Sequence, residues 1–120
     1  MQRQIQAIAV KAETGVLLRL LVILKSLCDA NFINAVLTYA QFDGVNLNGV
    51  NFSGAYLNSV GFIDTNFKGA NLSDADLSDT YFIGVKNLTP EQVKSAKNWD
   101  KAIYTEDFRA KLGLPPEPAK

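Results

Sequence analysis

The chain of 120 residues contains no histidine, so it lacks the commonest metal ligand and the commonest general base. Its single cysteine, Cys28, excludes an intramolecular disulfide. With no imidazole to take its proton, Cys28 reads as a small hydrophobe at the foot of the repeat region described below. Lys and Arg balance Asp and Glu at twelve each, which argues against a nucleic-acid partner and against binding driven by bulk charge. No apolar run reaches the roughly 20 residues of a membrane-spanning helix. The longest, Val16–Leu24, is nine residues broken by Arg19, and no small-residue cleavage site follows it. A single domain is expected, with no cofactor and no metal. A cytoplasmic location is expected, with export or a lumenal location left open.

What the chain does have is a period of five. Phe32, Leu37, Phe42, Leu47, Phe52, Leu57, Phe62, Phe67, Leu72, Leu77 and Phe82 follow one another at every fifth position. Two residues before each stands a small or β-branched side chain, from Ala30 and Ala35 to Thr80, with Val85 closing the run. On an α-helix this step advances a side chain by about 140°, and on a flat strand it alternates faces. All eleven large residues share one side only if the backbone bends in the same sense once per unit. Such a chain climbs as a solenoid whose units bury their core by stacking.

The number of bends per circuit is also legible. Residues twenty apart match at the central position in five of seven pairs, whereas residues fifteen apart match in three of eight. Asn31, Asn51 and Asn71 fall in one column at the same lag. A four-sided coil of just under three circuits follows, roughly 13 Å tall at the spacing of neighbouring strands. Gly44, Gly49, Gly54, Gly69 and Gly84 take the last slot of their units, with Asn34, Asp64, Asp74 and Asp79 in others. This is turn chemistry, so the aspartates need no catalytic role. The glycines make no phosphate loop, because no Lys-Ser/Thr follows them.

The A-[N/D]-[L/F]-x-x pattern of Ala30-Asn31-Phe32-Ile33-Asn34, Ala70-Asn71-Leu72-Ser73-Asp74 and Ala75-Asp76-Leu77-Ser78-Asp79 resembles the pentapeptide-repeat proteins. That resemblance implies a right-handed quadrilateral β-helix with the Leu/Phe and Ala positions inward. Val36, Gln41, Tyr56, Gly61 and Tyr81 depart from it in the Asn/Asp slot, and Thr65 and Thr80 in the small slot. A threonine there requires a backbone partner for its hydroxyl.

The expected organisation is an N-terminal helical segment over 1–28, the coil over 29–88, helices over 89–114 that cover its end, and a tail over 115–120. Ile5, Ile8, Ala12, Val16, Leu20, Ile23 and Leu27 recur at three- and four-residue spacing, with a break or kink expected at Gly15. Val16–Leu24 is apolar on nearly every side, more than one coil end can hide. Leu17, Leu21 and Leu24 are therefore candidates for contact with a second copy or another protein. Thr89 reads as an N-cap, with Pro90 in the first turn and Gln92 at the capping-box position. A second helix is expected after Thr105, with Phe108 and Leu112 inward and Gly113 as its stop. Trp99, Tyr104 and Phe108 are expected in the core of this segment, which resembles the tail of cyanobacterial pentapeptide-repeat proteins.

Outward positions hold Ile33, Tyr39, Tyr56, Ile63, Tyr81 and Ile83, and Ile63 and Ile83 share a column as a candidate contact surface. Charge divides unevenly. Residues 1–28 carry four bases and one acid, 29–85 one base and six acids, and 86–120 seven bases and five acids. With no nucleophile–base pair, the leading reading is a non-enzymatic structural or interaction module with an unidentified protein partner. Two alternatives are a DNA-mimicking binder of a topoisomerase, as the resemblance implies, and membrane-surface attachment through residues 16–27. A mimic needs a charge density near one per roughly 1.7 Å, which this coil approaches only if dimerisation lengthens it.

Overall fold

The computed structural model describes residues 26–117. The helix expected over 3–27, including the candidates Leu17, Leu21 and Leu24, therefore falls almost wholly outside the described residues. From Ser26 onward the chain is a β-helix solenoid. Parallel bridges join residues twenty apart and form four ladders, which begin Ser26–Asn46–Asn66–Lys86, Asn31–Asn51–Asn71, Val36–Tyr56–Asp76 and Gln41–Gly61–Tyr81. Among the described residues Ser26 already pairs and Leu27 is fully buried, so the coil includes residues ahead of the boundary expected at 29. Lys86 pairs with Asn66, within the coil expected over 29–88.

Each unit turns on the same local chemistry. The last residue of every unit from Asp29 to Gly84 has φ between 57° and 72°. In most units the N–H of the following small residue donates to the central Leu/Phe carbonyl, as Ala35 does to Phe32 at 3.1 Å. Positive φ at the third position of such a turn is the type II geometry. Asn31, Asn46, Asn51, Asn66, Asn71 and Asp76 each accept the N–H two residues on through Oδ1, at 2.9–3.1 Å. That bond is the physical reason for the Asn/Asp slot: it satisfies a turn donor that the ladder leaves over.

Glycine at the corners answers a second demand besides φ. A Cβ added to Gly49 would strike the Asp29 carboxylate of the preceding circuit, and one on Gly84 would strike that of Asp64. At these two places an acid in one circuit folds over the glycine of the next.

One corner departs from this pattern. The turn bond is 3.3 Å at Phe42–Val45 and has no counterpart at Phe62–Thr65 or Phe82–Val85. Each of these units puts a phenylalanine and a β-branched residue into one corner, and their bulk spreads the turn. There the chain forms β1 (Gly61–Ile63) and β2 (Tyr81–Ile83), paired in parallel as Gly61 with Tyr81, Phe62 with Phe82 and Ile63 with Ile83.

The interior is a column of rings and aliphatic groups. All eleven central residues are buried, together with Leu27. Phe42, Phe62 and Phe82 lie directly over one another, with centroids 5.4 Å apart at each step and planes within 17°. Phe32 and Phe52 stack likewise at 5.5 Å. The two threonines in the small slot differ. Thr80 Oγ1 donates to the Leu57 carbonyl at 2.8 Å, as expected of a buried hydroxyl, whereas buried Thr65 Oγ1 has no partner. Thr65 shares its column with Val45 and Val85, so Thr65→Val is expected to stabilise the chain by about 1 kcal/mol. Thr80→Val is expected to cost about 1 kcal/mol, because it removes a made bond. Urea melts of the two variants read the opposite signs, and a matching sign would refute the distinction.

Beyond Lys86 the chain completes a fourth, irregular circuit. Thr89 caps α1 (Pro90–Lys94) with the full capping box through Gln92. Gln92 Nε2 also donates to the carbonyls of Phe67 and Ala70, both at 2.9 Å, which ties α1 to the circuit below. Lys97 then joins the third ladder on Asp76. After a 3-10 turn (Trp99–Lys101), β3 (Ile103–Tyr104) joins the fourth ladder on Tyr81 and Phe82. Thr105 caps α2 (Glu106–Leu112), which Gly113 ends at φ 81°. The expected helices are present, and the segment between them continues the ladders.

Candidate interaction surface

The outward side chains are unequally shared among the ladders. Ladders one and two carry the asparagines. The five departures from the Asn/Asp slot all fall on ladders three and four: Val36 and Tyr56 on three, Gln41, Gly61 and Tyr81 on four. The exposed large hydrophobics follow the same division. Val36, Tyr39 and Tyr56 belong to units of ladder three and Tyr81 and Ile83 to ladder four, which leaves Ile33 alone on ladder two.

The candidates Ile63 and Ile83 are brought side by side in register, with Ile83 exposed and Ile63 half-buried. With Tyr81 they form an apolar row on the three-stranded sheet β1–β2–β3. Val36 was missed as a surface residue. Its slot always points outward, so an apolar residue there had to be exposed, and that signal was available. Tyr39 is the other residue out of keeping. It holds φ at 71° in a slot otherwise filled by Gly, Asn, Asp and Ser, at a cost of about 1–2 kcal/mol for a residue with a Cβ.

Grooves among the described residues include two of note. One of about 520 Å³ runs beside ladder three and is lined by Asn34, Gly54, Tyr56, Asp74, Asp76 and Lys97. Asp76 is its most strongly perturbed group. Partial burial raises its pKa, but hydrogen bonds from the Ser78 backbone and from Asn98, Asn58 and Ser78 outweigh that and hold it at about 2. It is therefore a fixed negative charge. The other groove, of about 300 Å³, lies between α2 and the fourth ladder, on a floor of Phe82, Val85, Leu88 and Phe108.

The remaining polar groups are dispersed. Asp29, Asp74, Asp79 and Asp64 end units of ladders one, two, three and four in turn, so the corner acids do not converge. Among the described residues no three His, Cys, Asp or Glu side chains group as metal ligands. Cys28 is half-exposed and accepts from Ser26 Oγ at 3.4 Å, in the outward slot it shares with Asn48 and Lys68. It is a wall residue in the first described unit of the coil. No helix among the described residues is long and apolar enough to cross a membrane.

A family model described as pentapeptide repeats matches eight copies, over residues 26–54 and 62–86. The unmatched stretch holds Tyr56 and Gly61, two of the departures, yet both pair in register with the circuits on either side. No curated protein matches the chain. Repeats that match on both sides of that gap, in a coil unbroken across it, make the chain a member of the pentapeptide-repeat proteins.

Proposed function

We propose that the chain is a non-enzymatic interaction module: a right-handed quadrilateral β-helix that offers its fourth wall to a protein partner. The C-terminal segment, with Tyr104 laid over Phe82, is read as the cap of one end. Residues 16–24 are read as the cover of the other. The outer side of that run, through Leu17, Leu21 and Leu24, remains the place for a second copy.

One observation carries the reading. Turn-forming asparagines line two ladders and exposed apolar side chains the other two, and a rod that merely needed solubility would have no reason for that division. Stacked strands hold such side chains in fixed rows at about 4.8 Å, a preorganised surface that loses little entropy on binding. The test is capture from an extract of the source cells on immobilised full-length chain. A protein retained by the wild type and reduced at least tenfold on Ile63→Glu, Ile83→Glu supports the fourth wall. Recovery of no protein, or of the same set on both, overturns it.

A further inference from the structure

We infer that the occupant of the fourth wall is a second copy of this chain, set beside the first about a two-fold axis parallel to the coil. The inference rests on the reading of that wall as the contact surface and adds what covers it. It is separate from the contact read on the outer side of residues 16–24. Two outward columns climb the wall. Gln41, Gly61, Tyr81 and Ile103 stand on the side of ladder three, and Asp43, Ile63 and Ile83 on the side of ladder one. A two-fold axis along the coil leaves every circuit at its own height and exchanges the two columns. Ile83 then meets the partner's Tyr81, and Ile63 meets the partner's Gly61, with the reverse contacts following by symmetry. The wall is low at Gly61, which has no side chain and against which the Gln41 amide lies. Asp43 meets the partner's Gln41, whose amide can donate to it. Both coils climb by the same step of about 4.8 Å, so the rows stay level from one circuit to the next. A second copy is a partner certain to have that step.

The charges at the two edges of the wall fit the same pairing. Among the described residues the one ion pair is Arg109–Glu117, so Asp79, Lys101, Asp107 and Lys111 have no ionic partner there, although each is exposed. Asp79 and Lys101 stand one above the other at the corner between ladders three and four, where Asp79 N donates to Lys101 O at 3.0 Å. Asp107 and Lys111 line the smaller groove with Gly84, at the opposite corner. The axis that exchanges columns also exchanges corners. Asp79 therefore comes to the partner's Lys111, and Lys101 to the partner's Asp107. One circuit lower, Asp64 comes to the partner's Ser59, and Lys111 also offsets the Asp64 carboxylate that lies against Gly84. Opposite charges thus flank an apolar row on both sides, the usual anatomy of a dry centre within a polar rim.

Sedimentation equilibrium of the full-length chain up to about 500 µM reads the contact, because a wall this narrow lies at the low end of interface size. A dimer is expected in that range. Ile83→Glu should weaken it at least tenfold, since a carboxylate is then desolvated against the partner's Tyr81. Lys101→Glu should weaken it at least threefold. Adding Asp107→Lys to that variant should restore it, because the reversed charges meet again across the axis. Leu17→Glu, Leu21→Glu should leave it in place. A chain that stays monomeric, or a charge reversal that the second substitution fails to rescue, overturns the inference. A dimer kept in Ile83→Glu and lost in Leu17→Glu, Leu21→Glu belongs to residues 16–24 and overturns it as well. The wall itself is judged apart. A monomer whose capture of another protein still falls on Ile63→Glu, Ile83→Glu would keep the fourth wall and reject the second copy.

Discussion

Phe62→Ala is expected to destabilise the chain by about 4 kcal/mol, from the range for a buried phenylalanine cut to alanine. Phe62 is fully buried and stacked between Phe42 and Phe82, both at 5.4 Å. It also meets Phe67 edge-on at 4.9 Å and Phe52 at 5.7 Å. Its removal leaves a hole that the surroundings cannot close, because parallel backbone bonds fix the circuits on both sides. Phe42 N, for example, donates to Gly61 O at 2.8 Å. The loss approaches half the stability of an ordinary domain. Phe62→Leu should cost only about 1.5 kcal/mol, because the coil already sets Leu47 below Phe67 and Leu72 above Phe52. Urea titration of both variants reads the difference. A cost below about 1.5 kcal/mol for the alanine variant would mean the ring is not sealed in a stack.

The reason the rings could be placed from the sequence is that the repeat leaves few alternatives. A five-residue step with one bulky and one small apolar residue per unit has one way to bury both, and the lag of twenty between Phe42, Phe62 and Phe82 fixes the circuit. The capping signals at Thr89, Thr105 and Gly113 were equally legible, because each is a contact between residues three or four apart in sequence. What escaped were features set by neighbours one circuit away. The corner at Phe62–Thr65 spreads where a phenylalanine meets a β-branched residue, and the same pair recurs one circuit below at Phe42–Val45 and one above at Phe82–Val85. The carboxylate of Asp29 over Gly49 is likewise a contact across twenty residues. The fourth circuit was hidden for a related reason. Lys97 and Ile103 pair at lags of 21 and 22, because α1 and the 3-10 turn take up the extra residues, and a fixed period cannot reveal a drifting one. The candidate surface was half legible: the slot of Ile63 and Ile83 could be named, but not that the departures in the Asn slot would collect on two ladders.

That drifting circuit makes Tyr104 the second sensitive position. Its ring continues the Phe42–Phe62–Phe82 stack, 5.6 Å from Phe82 with planes 9° apart, and it meets Phe108 of α2 at 5.5 Å. Its hydroxyl donates to the Trp99 carbonyl at 2.6 Å across the turn that absorbs the extra residues. Tyr104→Ala removes both functions and is expected to cost about 4 kcal/mol, with faster amide exchange at Tyr81–Ile83 as β3 loosens. Tyr104→Phe keeps the stack and should cost about 1 kcal/mol, since the Trp99 carbonyl still accepts from Ala102 N. The two variants also separate in alkali. Burial raises the Tyr104 pKa well above its ordinary value; the nearby Asp100 charge adds to this and Arg109 partly offsets it. A phenol held neutral in the fold supplies stability that is whole below the unfolded value of about 10 and drains away as pH rises above it. Tyr104→Phe has no such proton to lose. Its melting temperature should therefore start below that of the wild type at pH 7 and fall less steeply beyond pH 10. Parallel slopes for the two proteins would show that the phenol is reached by water, and that β3 does not close the stack.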